Sequence, residues 1–187
     1  MKVMSNTMKA PEKIETERLV LRRPKASDAK AVFDRYAADH AVTRYLSWPR
    51  HRSLADTLAF VAWSDEEWQR WPSGPYLVLA RQERPGELLG STGLSYKSAN
   101  RAVTGYVFAR DAWGQGFATE ALEAMVDLAR NTGVERLEAI CHVDHQVSAN
   151  VLEKCGFHQE EVRREHFVFP NLAPQKKSDV YNYVISF

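Results

Sequence analysis

The segment from Gly105 to Ala121 constrains the fold of this chain most, because it passes from a strand-like to a helical pattern around two glycines. Gly114 and Gly116 stand one residue apart in the connecting loop. Glycine allows a backbone to turn sharply and to approach a bulky anion closely. The first N–H groups of the following helix have no intrahelical acceptor, and the helix dipole favours a negative charge in front of them. The segment therefore predicts an anion site whose natural occupant is a pyrophosphate.

The two common phosphate-binding loops do not fit this segment. No Gly-Lys-Ser or Gly-Lys-Thr ends it, so it is not a Walker loop, and the third glycine of the dinucleotide fingerprint is missing. No acidic residue caps a following parallel strand to bind a ribose. Two glycines before a helix also occur in ordinary tight turns. The order of the elements around the loop is therefore needed to distinguish an anion site from such a turn.

The remaining chain predicts one mixed α+β domain with a largely antiparallel sheet. Apolar periodicity predicts helices over 29–38, 53–71, 117–131 and 148–154, and strands over 14–22, 76–81, 87–94, 103–109, 136–143, 160–169 and 179–187. The helix after the glycines leads into a parallel crossover. Residues 1–13 are expected to form a flexible tail, and residues 14–187 a single domain.

One helix of this pattern carries a cluster of aromatic residues. In the helix over 53–71 we expect Leu54, Leu58, Val61 and Trp68 near one face. The tryptophans at positions 63, 68 and 71 are interpreted as core packing of this helix rather than as a cage for a substrate.

Composition excludes several other classes of protein. Lys and Arg total 25 against 24 Asp and Glu, which gives no electrostatic reason to expect a nucleic acid or an anionic membrane as partner. Cys141 and Cys155 form no CxxC pair, so neither a zinc site nor a disulfide scaffold is expected. No apolar run approaches the roughly 20 residues of a membrane span, and the first residues lack the apolar stretch of a signal peptide. We therefore expect a cytoplasmic protein without a bound metal.

Three ordered motifs resemble the GNAT acetyltransferase superfamily, and in particular its RimJ/RimL-like branch. The loop Trp113-Gly114-Gln115-Gly116-Phe117-Ala118 resembles the superfamily's pyrophosphate loop, Arg/Gln-x-x-Gly-x-Gly/Ala, and continues as Thr119-Glu120-Ala121-Leu122. Thr16-Glu17-Arg18-Leu19-Val20-Leu21-Arg22 resembles the first strand of the branch, and Val151-Leu152-Glu153-Lys154-Cys155-Gly156-Phe157 its late helix. The resemblance extends from about Ile14 to the C-terminus.

The resemblance implies a fold, a cofactor and a set of binding residues. The fold has helices on both faces of the sheet and a parallel strand pair splayed at the site of acyl-coenzyme A, and the expected donor is acetyl-CoA. The backbone of the strand before the loop would bind pantetheine, and the loop and the first helical turn would bind the pyrophosphate. The expected cofactor-binding residues are Tyr106, Val107, Phe108, Trp113, Gly114, Gln115, Gly116, Phe117, Ala118, Thr119, His145 and Ser148.

Four positions depart from the pattern of the branch. Trp113 replaces the Arg or Gln that opens the loop, so a side-chain contact to phosphate is lost there. His145 stands where the branch usually has an asparagine that contacts pantetheine, and Asn150 stands at a position that is usually basic. Many members protonate the departing thiolate with a tyrosine at the position of Leu152, so here another group must supply that proton.

The resemblance implies transfer of an acetyl group to a primary amine by direct attack, because neither cysteine has a partnering histidine and acid. Ser148 is the candidate donor of a proton or hydrogen bond to the thiolate, with a role as helix N-cap as the alternative. Glu165, His166 or a chain of waters is the candidate base, and His166 is equally interpreted as an ordinary surface residue. His145 either contacts the cofactor or caps the helix.

Two other functions stay open at this point. A domain that binds acyl-CoA as a sensor, without turnover, fits the missing tyrosine and the histidine at position 145. The acceptor amine is either a protein N-terminus or a small molecule such as an antibiotic or a polyamine. The protein is expected to be a monomer or a homodimer.

Overall fold

The computed structural model describes residues 9–187, which form an eight-stranded sheet in the order β1-β2-β3-β4-β5-β6-β8-β7. The strands are β1 Lys13–Glu15, β2 Leu19–Arg22, β3 Pro75–Ala80, β4 Leu88–Ser98, β5 Arg101–Phe108, β6 Arg136–His142, β7 His158–Val168 and β8 Lys177–Ser186. Neighbouring strands are antiparallel except for β5 and β6, which are parallel. The predicted mixed and mostly antiparallel sheet is confirmed.

The four predicted helices are present with bounds shifted by a few residues at most ends, and the short helix His40–Thr43 is an additional one that the periodicity did not predict. They are α1 Ala29–Val32, α2 His40–Thr43, α3 Leu54–Arg70, α4 Phe117–Asn131 and α5 Gln146–Lys154. A π turn over Phe33–Ala37 continues α1, and short 3-10 turns span Ala26–Asp28 and Arg110–Ala112. The helix α4 connects β5 to β6, so the predicted parallel crossover is confirmed as well.

The sheet is covered by helices on both faces because its central strands are apolar on both sides. All residues of β3 are buried. Tyr76 and Val78 belong to the core that also contains Leu122 and Met125 of α4. Leu77 and its strand neighbour Leu79 belong to a second core with α1 and the π turn. A strand with two buried faces places a helical layer on each side of the sheet.

The parallel pair β5 and β6 is joined at one end only. Its register extends from Arg101 opposite Arg136 to Val103 opposite Glu138. Beyond that point β5 continues to Phe108 and β6 to His142 without pairing to each other. The two strands therefore splay, and the gap between them opens toward the end of β5 where the glycine loop begins.

The N-terminal strand prediction needs a correction. The predicted strand over 14–22 is two short antiparallel strands, β1 and β2, joined by a turn. The Thr16 hydroxyl accepts the N–H of Leu19 at 3.1 Å, and the Thr16 N–H donates to the Leu19 carbonyl at 3.0 Å. A threonine side chain that bonds to nearby backbone stabilises a turn in place of a continuous strand.

The predicted tail lies mostly outside the described residues, which start at position 9. Ala10 is buried, and its N–H donates to the Pro72 carbonyl at 2.8 Å. Lys13 is already the first residue of β1. The predicted domain boundary at residue 14 thus falls inside the first strand.

The buried face of α3 differs from the predicted one. Leu54 and Leu58 are 44% and 43% exposed, so the predicted face is wrong at these two positions. The buried stripe is partly polar and consists of Thr57, Val61, Ser64 and Trp68. The Thr57 hydroxyl hydrogen-bonds Nδ1 of His51 at 2.8 Å, which offsets the cost of burying it.

The three tryptophans of the α3 region do not form one core cluster. Trp68 is buried, and its indole N–H donates to the Pro75 carbonyl at 2.9 Å. Trp71 stacks on Tyr96 with ring centroids 5.6 Å apart, whereas Trp63 is exposed. Core packing is confirmed for Trp68 and wrong for Trp63.

Candidate active site

The glycine loop presents free backbone N–H groups at the start of α4. Gly114 and Gly116 have φ of 73° and 79°, in the left-handed region where glycine is favoured. Gly116 is the N-cap of α4, and the first intrahelical bond runs from the Glu120 N–H to the Gly116 carbonyl at 3.1 Å. Gly116 has no side chain that could cap the helix. The N–H groups of residues 117–119, which come before the first intrahelical donor, therefore have no intrahelical acceptor and can bind a ligand at the loop.

Arg18, from the turn between β1 and β2, holds this loop in place. Its guanidinium donates to the Gln115 carbonyl at 2.8 Å and forms an ion pair with Glu120 at 2.7 Å. It also lies over the ring of Phe117, 4.7 Å from the centroid. Burial raises the pKa of Glu120, but hydrogen bonds from Thr16 and Arg18 outweigh it and keep the pKa below its usual value. Glu120 is therefore ionised at neutral pH and fixes the arginine beside the loop.

The pairing of Arg18 with Glu120 could not be predicted from the sequence. Arg18 and Glu120 lie more than a hundred positions apart, and nothing in either motif states that they touch. The available signal was an arginine directly before the apolar pair Leu19-Val20 and a glutamate directly before the apolar pair Ala121-Leu122. Arg18 is thus a positively charged residue at the loop that the sequence reasoning missed.

The start of the loop is tied to β5 and to the first helical layer. The Trp113 indole N–H donates to the Phe108 carbonyl at 2.8 Å. Asp111 accepts two hydrogen bonds from Arg35, both at 2.9 Å. Trp113 therefore ties the loop to the end of β5. Its indole occupies one of the two lone pairs of the Phe108 carbonyl, a group that was predicted to bind pantetheine.

A pair of hydroxyl groups lies beside the gap between β5 and β6. The side chain of Tyr106 reaches from β5 to α5, where its hydroxyl is 3.0 Å from the Ser148 Oγ and donates to the Ser148 carbonyl at 3.3 Å. Burial raises the pKa of Tyr106 far above its usual value, so the phenol stays protonated. The N-cap of α5 is His145, so the alternative role of Ser148 as N-cap is wrong.

An aromatic cluster lies at the open end of β6. Tyr45 stacks on His145 with ring centroids 4.6 Å apart and is tilted against His142 at 5.2 Å. Phe169, from the connection between β7 and β8, meets His142 edge-on at 5.2 Å. His145 caps α5 through its carbonyl, and its side chain makes no capping hydrogen bond. The His145 ring therefore packs in the aromatic cluster, a contact that the interpretation of His145 as a helix cap did not include.

Asn171 fastens the β7–β8 connection over this cluster. Its Oδ1 accepts the N–H of Arg50 at 2.7 Å, and its Nδ2 donates to the carbonyls of Thr43 and Trp48 at 2.8 and 2.9 Å. We call the residues 43–51 and 169–173, which this side chain joins, the strap. The strap therefore packs on the rings of His142 and His145 at the open end of β6.

The family assignment follows from the match of these elements to a known domain. Residues 18–158, which include the loop, the splayed strands and α5, match the family described as Acetyltransferase (GNAT) domain. The chain belongs to the GNAT acetyltransferase family. The predicted superfamily and the predicted class of enzyme, an acetyltransferase, are confirmed.

Relatives and solved structures agree with this assignment. The Uncharacterized N-acetyltransferase YoaA of Bacillus subtilis is 28% identical over 174 residues, covering 91% of this chain and 96% of the relative. RimL, a ribosomal L7/L12 alpha-N-protein acetyltransferase solved with coenzyme A, has a TM-score of 0.82 at 24% identity, covering 94% of this chain and 98% of that one. The Microcin C7 self immunity acetyltransferase MccE, solved with acetyl-CoA and AMP, has a TM-score of 0.81 at 17% identity, covering 95% and 98%. At these identities the two solved structures show a shared fold.

The GNAT position that often carries a tyrosine acid has no polar group here. Leu152 is buried in the core shared with α4. Asn150, at the usually basic position, is exposed and accepts a hydrogen bond from Gln146 at 2.9 Å. The hydroxyl pair at this helix is instead formed by Ser148 with Tyr106 of β5, and the role of Ser148 as proton donor stays a prediction.

The two predicted bases lie on an irregular stretch of β7. Glu165 and His166 are exposed, and the register between β7 and β8 shifts between Arg163 and Phe167. Glu165 has φ of 42°, and its N–H donates to Asp179 at 2.8 Å. No contact joins either side chain to Ser148 within the described part of the chain, so their catalytic role stays a prediction.

Neither cysteine is arranged as a nucleophile. Burial raises the pKa of both Cys141 and Cys155 to about 12, so both thiols are protonated at neutral pH. Residues 9–187 contain no group of three or more His, Cys, Asp or Glu side chains that could hold a metal ion. Among the same residues, no helix is both long enough and apolar enough to cross a membrane.

Proposed function

We propose that this protein transfers the acetyl group of acetyl-CoA to a primary amine by direct attack, without an acetylated enzyme intermediate. The observation that carries the proposal is the gap between β5 and β6, which opens onto the free N–H groups of the glycine loop and has the Tyr106–Ser148 pair at its side. Its location in the cytoplasm is part of the proposal and agrees with two cysteines that are both free.

The proposed cofactor position follows from where the backbone is available. The pyrophosphate accepts hydrogen bonds from the N–H groups of the loop and of the first turn of α4, where the helix dipole adds attraction. The pantetheine arm lies along the unpaired half of β5, at Val107 and Phe108, which lack a strand partner on the β6 side. This arrangement brings the thioester toward Ser148.

The proposed chemistry needs few side chains. The neutral amine attacks the thioester carbon, a backbone N–H of β5 stabilises the oxyanion, and the C–S bond breaks. Ser148 donates a proton to the departing thiolate, and the buried phenol of Tyr106 orients the serine hydroxyl. Two protonated cysteines with pKa values of about 12 support direct attack over a covalent route.

The cofactor position can be tested with two glycines at opposite ends of α4. Gly116 at the start and Gly133 after the end have φ of 79° and 81°, so alanine costs each about 1–2 kcal/mol of backbone strain. An added Cβ would lie 3.3 Å from the Arg18 guanidinium at position 116 and meet nothing within 4 Å at position 133. We expect Gly116→Ala to weaken acetyl-CoA binding at least tenfold by calorimetry, and Gly133→Ala to leave it unchanged.

The paired design separates binding from folding, because both variants carry the same strain. Equal affinities of a folded Gly116→Ala protein and the parent for acetyl-CoA would show that the loop does not hold the cofactor. Equal losses in both variants would assign the effect to the stability of α4 instead.

The acceptor is proposed to be either a peptide α-amine or a small amine. The acceptor has to enter beneath the strap, because the glycine loop side is taken by the cofactor in this proposal. Release of free thiol from acetyl-CoA, measured with peptides of varied N-terminal residue and with spermidine, distinguishes the two acceptor classes. Binding of acetyl-CoA without thiol release for any amine would instead support a sensor.

A further inference from the structure

We propose that His145 is the general base that removes a proton from the acceptor ammonium. This inference rests on the proposed function and assigns a residue to a step that Glu165 or His166 was predicted to perform. The branch usually carries an asparagine at this position, so the inference concerns a property particular to this chain.

His145 belongs to the helix end that carries Ser148, and its ring contacts the strap. It is the N-cap of α5, three residues before Ser148, and residues three apart lie on the same side of a helix. Its ring stacks on Tyr45 of the strap at 4.6 Å with an interplanar angle of 22°. An amine that enters beneath the strap to reach a thioester beside Ser148 passes this ring.

The neighbouring His142 is not suited to the same task. Its Nδ1 accepts the backbone N–H of Asp144 at 3.1 Å, so we infer that the neutral ring carries its proton on Nε2. Taking up a second proton would break that hydrogen bond. His145 has no such bond within residues 9–187, and a neutral imidazole always keeps one nitrogen with a free lone pair.

The charges around His145 favour its neutral form. Burial lowers its pKa below the ordinary 6.5, and the nearby His142 lowers it further. The other charged groups of the cluster act on the neighbouring rings: Asp144 lies 3.7 Å from His142, Asp179 also interacts with that histidine, and Arg44 lies over the Tyr45 ring. At pH 7 the ring is therefore unprotonated and able to accept a proton, and it loses this ability only when the pH falls below its lowered pKa.

The proposed step balances as follows. The acceptor R–NH3+ gives one proton to the free nitrogen of His145, and the resulting lone pair forms the C–N bond with the thioester carbon. The carbonyl π electrons move to oxygen and return as the C–S bond breaks. Ser148 gives its proton to the thiolate and regains one from the second N–H of the amine through solvent. His145 then releases its proton to water, so the products are the amide, coenzyme A thiol and one proton.

The test compares pH profiles of kcat/KM for the parent and for His145→Asn, with lysine-free peptides that begin with Ser, Ala, Thr or Met. A peptide α-amine has a pKa of about 7.7–8.0. We expect the parent profile to fall only below pH 6.5, and the variant profile to fall already below about 8, where the amine itself becomes protonated. The variant should therefore lose about tenfold at pH 7, approach the parent above pH 8.5 and recover at pH 7 with added imidazole.

The exposed His158 at the start of β7 provides the control, since His158→Asn should leave the parent profile unchanged. An unchanged acidic limb in His145→Asn would overturn the proposal, and a shifted limb in Glu165→Gln would move the role to that residue. Loss of activity at every pH without rescue by imidazole would assign His145 a structural role and also overturn it. If the parent binds acetyl-CoA but acetylates neither the peptides nor spermidine, the proposed transferase function is wrong. That outcome differs from failure of the His145 proposal, in which the parent is active and only the pH profile of His145→Asn is unchanged.

Discussion

Single residues in this site act through groups that the sequence pattern did not indicate. Tyr106 was expected to contribute only its backbone, yet its phenol is 3.0 Å from the Ser148 hydroxyl. The reason is the splay of the sheet, which leaves the outer half of β5 without a partner on the β6 side and allows a large side chain to reach α5. A hydroxyl pair made by two elements therefore lies beside the gap, and we propose that it takes the part of the tyrosine that the family often has at position 152.

Ser148→Ala is expected to lower kcat while leaving the affinity for acetyl-CoA nearly unchanged. The thiolate loses its proton donor, and removal of a general acid typically costs about 10²–10⁴-fold in rate. Tyr106→Phe should lower kcat less, because the serine hydroxyl remains and loses only its orienting partner. Steady-state kinetics with calorimetry of cofactor binding measures both effects.

The comparison of the two variants is informative because both remove one end of the same hydrogen bond. If the bond has only a structural role, each change should lower the unfolding free energy by about 1 kcal/mol and leave kcat at the parent value. Full activity of Ser148→Ala at an unchanged melting temperature would exclude the serine from catalysis.

At the scale of elements, the site is assembled by contacts between segments that are distant in the chain. The turn between β1 and β2 fixes the start of α4 through Arg18, and the β7–β8 connection fixes the segment after α2 through Asn171. The strap is irregular in structure, so few backbone ladders support it. Asn171 therefore accounts for much of its order.

Asn171→Ala should remove three hydrogen bonds, each worth about 0.5–1.5 kcal/mol, and lower the unfolding free energy by about 2–3 kcal/mol. We expect the KM for the acceptor to rise and the affinity for acetyl-CoA to stay the same, because none of these three hydrogen bonds reaches residues 113–119 of the glycine loop. Asn131→Ala at the exposed end of α4 is the control, with no expected effect on either. A loss of acetyl-CoA affinity in Asn171→Ala would contradict this placement of the strap.

At the scale of the whole molecule, local patterns predicted most of the fold. The helix over Phe117–Asn131 has the predicted bounds, because its apolar stripe is regular and glycines stand at both ends. The buried face of α3 was predicted wrongly, since Thr57 and Ser64 are buried while two leucines are exposed. Burial there depends on partners from other segments, such as His51, which periodicity does not contain.

In the candidate site, too, local features could be predicted from the sequence and contacts between distant segments could not. The turn at Gly114 and Gly116 and the start of α4 could be predicted because they depend on consecutive residues, whereas the binding role of the loop stays a prediction. The contacts of Arg18 with Gln115, of Tyr106 with Ser148 and of Tyr45 with His145 could not, because each joins segments that only the folded sheet brings together. Side-chain chemistry at a site of this kind is a property of the tertiary structure.

The central claim, direct transfer of acetyl from acetyl-CoA to an amine, is tested most directly by mass spectrometry of one reaction sampled before and after the amine is added. With acetyl-CoA alone, we predict unmodified protein, because both cysteine thiols are protonated at neutral pH. After addition of the peptide panel or spermidine, we predict one acetyl group on the amine and an equal amount of free coenzyme A. A stable acetyl group on Cys141 or Cys155 before the amine is added would contradict direct attack, and acetyl-CoA that stays intact with every amine would contradict the transferase itself.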